Sequence, residues 1–142
     1  MILPSFLNLN NMAREVTTTG SKKLKTLKKE FNEHFPYLSI HIHSSSMAAK
    51  AKKGETIYSL DSEKTLTEVR EKTGSGTISF SGRKKVKTIE QEFNEIFGLY
   101  VQICYTDSKG SRFYTSGSGD EKTLTELNRE KEAAGCQKGA WN

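Results

Sequence analysis

The strongest constraint on this chain is that its scaffold residues recur. Leu24-Lys25-Thr26-Leu27, Glu30-Phe31-Asn32-Glu33 and Phe35 return as Val86-Lys87-Thr88-Ile89, Glu92-Phe93-Asn94-Glu95 and Phe97, at a constant offset of 62 positions, from 24 to 86. Glu63-Lys64-Thr65-Leu66-Thr67-Glu68 then returns letter for letter as Glu121-Lys122-Thr123-Leu124-Thr125-Glu126, 58 positions on, from 63 to 121. A chain that repeats its apolar spacings and its turn residues reads as a tandem duplication. The division that follows is an N-terminal arm over 1–13, a first repeat over 14–76, a second over 77–134 and a C-terminal tail over 135–142. A unit of about 60 residues buries only about 60% of its unfolded surface. The two repeats of this chain of 142 residues are therefore expected to lean on each other.

Each repeat predicts the same order of elements. Val16 and Thr18, then Ile78 and Phe80, lie in short alternating runs ended by Gly20 and Gly82, the pattern of a strand. Leu24, Leu27, Phe31 and Phe35, with Val86, Ile89, Phe93, Ile96 and Phe97, recur at three- and four-residue steps, the spacing of one face of an amphipathic helix. Thr88 and Gln91 have the spacing of a capping box, which starts the second helix there and leaves Lys84 to Lys87 extended. Pro36 and Gly98 stop the two helices.

Beyond the helices, Leu38, Ile40 and Ile42 alternate with Ser39, His41 and His43, and Leu99, Val101, Ile103 and Tyr105 alternate with Tyr100, Gln102 and Cys104. Both runs read as half-buried strands. Asp107-Ser108-Lys109-Gly110 reads as a hairpin turn into a strand at 112–115. In the first repeat a longer, mobile connection from Ser44 to Glu55 leads to a strand at 56–59. Thr65 with Glu68, and Thr123 with Glu126, are capping boxes that announce a short final helix.

The fold class expected is α+β: two tandem β-α-β-β-α repeats with helices packed on a mixed sheet. This order resembles a ferredoxin-like half or, if residues 84–87 form a short strand, a β-grasp unit. The hairpin-then-short-helix cadence from Tyr105 to Leu124 carries the second resemblance, which is one of shape.

The candidate binding residues are cations placed where a helix end disfavours them. Lys22, Lys23, Lys25, Lys28 and Lys29 crowd the start of the first long helix, and Arg83, Lys84, Lys85 and Lys87 the start of the second. A helix N-terminus carries about half a positive charge, so a ligand reading places backbone amides and flanking lysines around phosphate groups. The nucleic-acid-binding set on this reading is Lys22, Lys23, Lys25, Arg83, Lys84, Lys85 and Lys87. A net charge of +5 agrees with an acidic partner.

Other constellations carry less chemistry. His41 and His43 stand two apart on a strand without a third ligand nearby, and read as solvated side chains; no metal and no cofactor is expected. Glu30, Glu33, Glu92 and Glu95 read as a polar helix face. Tyr105 falls with Val101 and Ile103 toward the core while Tyr100 points the other way. No Gly-x-Ser-x-Gly elbow and no Gly-x-x-x-x-Gly-Lys-Ser/Thr loop occurs, so no catalytic residue is assigned. Two cysteines, Cys104 and Cys136, are too few for a disulfide framework, and a reduced cytoplasmic protein is the expectation. The sum is a non-enzymatic binding protein with nucleic acid as its partner; the alternative is an adaptor for another protein, and no membrane contact is expected.

Overall fold

Leu24, Leu27 and Phe31 stand three and four residues apart, and helix α1 (Leu24–His34) turns all three into the core. The computed structural model describes residues 17–18, 20–74, 76–115 and 117–139. After α1 come strand β1 (Ser39–Ser44), helix α2 (Met47–Lys52) and the one-turn helix α3 (Leu66–Val69). Helix α4 (Val86–Glu92) widens into a π turn over Phe93–Phe97, followed by β2 (Leu99–Thr106), β3 (Arg112–Tyr114), a 3-10 turn (Gly117–Glu121) and α5 (Leu124–Ala133). The protein is thus a mixed helix and strand fold of the α+β kind.

The sheet departs from the expectation of mixed strand directions. It has the order β1-β2-β3 and is antiparallel throughout, with Ile40 opposite Ile103, Ile42 opposite Val101 and Tyr105 opposite Phe113. The hairpin at Asp107 is present: its amide donates to the Ser111 carbonyl at 2.9 Å, and Gly110 takes φ 90°, which glycine adopts without steric cost. Three predicted strands are not ladder strands. Thr17 and Ser79 form a single antiparallel bridge where two strands were expected, and Val16 lies outside the described residues, as does the arm over 1–13. The segment 56–59 runs beside β1 but contributes side-chain and carbonyl contacts in place of a ladder. The connection ahead of it contains α2.

The helix boundaries show how the chain turns. Helix α4 starts at Val86, two residues before the expected Thr88, because the Val86 amide is taken by the Lys122 carbonyl at 3.0 Å and needs no side-chain cap. Gly98 ends the π turn at φ 66°, the left-handed conformation that closes many helices. Both short helices carry the expected capping boxes at Thr65 with Glu68 and Thr123 with Glu126.

The core is one cluster. Phe31, Phe35, Phe93 and Phe97 are buried as expected, together with Ile40, Ile42, Val101 and Ile103 from the sheet, and Tyr105 packs against them half-buried. Phe80 lies in the middle: its ring meets Phe31 edge-on at 5.3 Å and lies nearly parallel to Phe93 at 5.8 Å. Backbone bonds at the two helix entrances come in matched pairs. Leu24 donates to Lys64 and Val86 to Lys122, Leu66 donates to Lys22 and Leu124 to Lys84, and Thr67 donates to Gly20 and Thr125 to Gly82.

Truncating Phe80 to alanine should cost about 3–5 kcal/mol, since it empties a fully buried ring site that neighbouring helices cannot easily close. Urea denaturation measures this. A variant within about 1 kcal/mol of the parent would show that Phe80 is not central to the packing.

Candidate functional site

Each helix entrance is a clasp of backbone and charge. Around α1, the amides of Leu24 and Lys25 donate to the carbonyls of Lys64 and Ser62, both at 2.9 Å, and those of Thr26 and Leu27 donate to Lys23 at 3.1 Å. The amides that an anion cradle would use are therefore engaged within the chain. What remains for a ligand at this end is side-chain charge.

The candidate cations sit in two like arrangements. Lys22 pairs with Glu30 at 2.5 Å and Lys84 with Glu92 at 2.8 Å, each reaching along its own helix. Lys23 and Lys25 share Glu63 at 3.5 and 2.8 Å, and Lys85 and Lys87 share Glu121 at the same two distances. The bond from Lys25 holds the Glu63 carboxyl below its ordinary value, and that from Lys87 does the same for Glu121. Arg83 is exposed, with its backbone amide on the Ser81 hydroxyl. These pairs rationalise lysines at a helix start: nearby carboxylates offset the unfavourable dipole.

Beside each entrance, the next turn of the helix lines a depression. Lys25, Lys28 and Lys29 with Ser62 line one of about 280 Å³ along α1. Lys87, Glu90, Gln91, Asn94, Glu95 and Tyr100 line one of about 350 Å³ along α4 and the π turn. Lys28 and Glu90 occupy corresponding places, 62 apart in sequence, one a base and the other an acid. Lys28 is half-buried, and Lys28 and Lys29 make no ion pair among the described residues. Burial lowers the Lys28 ammonium from its ordinary value. The sequence signal for this asymmetry was present in the aligned positions, but only burial gives it weight.

The face of the sheet opposite the apolar one is covered as well, and this corrects the reading of its histidines. His41 is 7% and His43 1% exposed, so neither is solvated. His41 Nδ1 meets the Ser59 hydroxyl at 3.2 Å, and His43 Nδ1 meets the Tyr58 carbonyl at 2.9 Å. Burial lowers the His43 imidazole, against the raising effect of its bond to Tyr58, and keeps it neutral at pH 7. No group of three or more metal-ligating side chains occurs among the described residues. Tyr100, Gln102 and Cys104 share this face, and burial pushes the Cys104 thiol up, so it is not an activated nucleophile. Cys104 and Cys136 are both free thiols.

Glu90 is the most perturbed carboxyl. Burial, and then the nearby Asp120 carboxylate, raise it to about 8 from an ordinary 4.5. Asp120 is itself raised by burial and by Glu121, Tyr100 on β2 lies close enough to be raised by Glu90, and Lys87 lines the same depression. A carboxyl held neutral here donates a hydrogen bond instead of presenting charge. No described helix is long and apolar enough to cross a membrane.

Because folded Glu90 binds its proton more tightly than the unfolded chain, its contribution to stability is complete below about pH 4.5 and is lost as pH rises through about 8. Replacing Glu90 by Gln should leave melting at pH 4 unchanged and stabilise the protein at pH 9 by on the order of 1–3 kcal/mol, the range allowing for screening at a partly exposed group. Parallel melting curves for the two proteins across pH 4–9 would show that Glu90 titrates normally. The chain matches no protein-family model, no curated protein and no solved structure.

Proposed function

We propose that this protein is a non-enzymatic binding protein that holds nucleic acid through lysine side chains along α1, on a scaffold derived from two copies of one unit. The observation that carries the reading is the depression lined by Lys25, Lys28 and Lys29, in which a half-buried ammonium lacks a carboxylate partner among the described residues. A cation drawn partly out of water without a counter-charge gains most from a phosphate brought to it. The corresponding depression along α4 contains the Glu95 carboxyl, which repels phosphate, and has Glu90 where α1 has the Lys28 ammonium. Exposed pairs such as Lys23 with Glu63 are worth about 0–1 kcal/mol, so phosphates can compete for those lysines at little cost. The matched bonds and ion pairs at the two entrances support the duplicated scaffold.

A second reading, an adaptor for another protein, draws on exposed aromatic rings: Tyr58 is 71%, Phe113 42% and Tyr114 41% exposed. Rings of this kind are frequent anchors of protein interfaces.

Fluorescence anisotropy of a labelled oligonucleotide against salt separates the two. Affinity for nucleic acid should fall linearly in log salt, with a slope of about −0.9 per neutralised phosphate on duplex DNA or about −0.7 on a single strand. The double replacement Lys28→Gln and Lys29→Gln should reduce that slope by about two phosphates, whereas Lys50→Gln and Lys52→Gln on α2 should leave it nearly unchanged. Equal losses in both variants would make the attraction diffuse and sink the α1 assignment. No binding at low salt would remove nucleic acid and leave the adaptor reading.

A further inference from the structure

Between the end of β3, the 3-10 turn and α5 lies a third, more enclosed cleft of about 190 Å³. Thr115, Ser118, Lys122, Glu130, Lys131 and Tyr105 are among its lining residues. Thr115 is 6% exposed, yet its hydroxyl has no hydrogen-bond partner among the described residues. Such a group bears its full desolvation cost until something bonds to it.

The charges around it are uneven. Glu130 is shared by two ammonium groups: Lys131 Nζ lies 3.2 Å from one carboxylate oxygen, and Lys122 Nζ contacts the other. Two cations on one carboxylate leave one positive charge uncancelled. Lys131 is the more buried of the two: its ammonium sits 3.9 Å over the Tyr105 ring and its side chain is 15% exposed, against 35% for Lys122. Ser118 adds an exposed hydroxyl at the cleft. The donors outnumber the acceptors, and the volume suits a single headgroup rather than a polymer.

We infer that this cleft binds a small oxyanion, a carboxylate or a phosphate, between the Lys122 and Lys131 ammonium groups and the Thr115 hydroxyl. The site is confined to the second half of the chain: at the 58-position offset, Lys64, Lys72 and Thr73 stand where Lys122, Glu130 and Lys131 do here. It is separate from the lysines of α1 and does not depend on them.

The test uses the full chain labelled with nitrogen-15, titrated with inorganic phosphate and, separately, sodium acetate, with sodium chloride at matched ionic strength. Saturable amide shifts centred on Thr115, Ser118, Gly119 and Lys131 are expected with at least one oxyanion and not with chloride. Saturation by phosphate alone assigns a phosphate ester as the natural group, by acetate alone a carboxylate, and by both an oxyanion of either kind. Lys131→Gln should weaken binding about tenfold, as expected on losing a charge-assisted bond. Thr115→Val keeps the shape of the side chain and removes an unbonded buried hydroxyl, so it should fold at least as well while binding several-fold more weakly; Thr115→Ser should retain binding. Shifts that rise linearly and equal those of chloride would overturn the proposal, as would unchanged affinity in both Lys131→Gln and Thr115→Val.

Discussion

The contact on which the rest of the structure depends is the Phe80 ring between Phe31 and Phe93. Those two phenylalanines belong to the two long helical segments, and among the described ring contacts Phe80 alone bridges them. Phe35 and Phe97 extend the aromatic row at either end, at 5.2 and 5.6 Å from their neighbours. With the helices held to one cluster, β1 and β2 become neighbours and exchange their ladder. The amide of Tyr37 adds a tie to the Asn128 carboxamide on α5 at 2.9 Å. Neither half keeps its apolar residues to itself, in line with the small core that about 60 residues can bury alone.

That shared core places the entrances of α1 and α4 against the segments that follow α2 and β3. Lys64 and Lys122 give their carbonyls to the first amides of the two helices, and Glu63 and Glu121 bring carboxylates to the lysines beside them. A run of cations at a helix start, which in isolation resembles a phosphate cradle, is here largely neutralised from within. Glu63 and Glu121 each serve two lysines and so leave one positive charge at each entrance, and one turn further on Lys28 and Lys29 add charge to α1 where the two entrances differ.

The buried polar face of the sheet has the same origin. A strand that alternates apolar and polar residues ordinarily leaves one face to water, and on that rule His41 and His43 are solvated. The segment at 58–60 lies along β1, where the Leu60 amide donates to the Ile42 carbonyl at 2.9 Å and Tyr58 and Ser59 meet the histidines. Cover over both faces turns ordinary polar residues into desolvated ones, which is why Cys104 departs so far from its usual protonation range.

Local spacing alone accounts for the two long helices, the hairpin and the capping boxes at Thr65 and Thr123, but not for α2, which forms where a mobile connection is expected. Each depends on neighbours within a few residues: the three- and four-residue apolar steps of α1 and α4, the aspartate and glycine of the turn at 107–110, and threonine followed by glutamate three residues later. Only long-range packing decides that the runs at Thr17 and Ser79 meet in one bridge, that the helix at Val86 needs no Thr88 cap, that every ladder is antiparallel, that His43 and Thr115 lose their water and that Lys28 and Glu90 lose part of theirs. Pairing partners and burial depend on segments tens of residues apart. The free energy of a charge or hydroxyl is set by the dielectric and the bonding partners those distant segments supply, and local spacing carries no record of either.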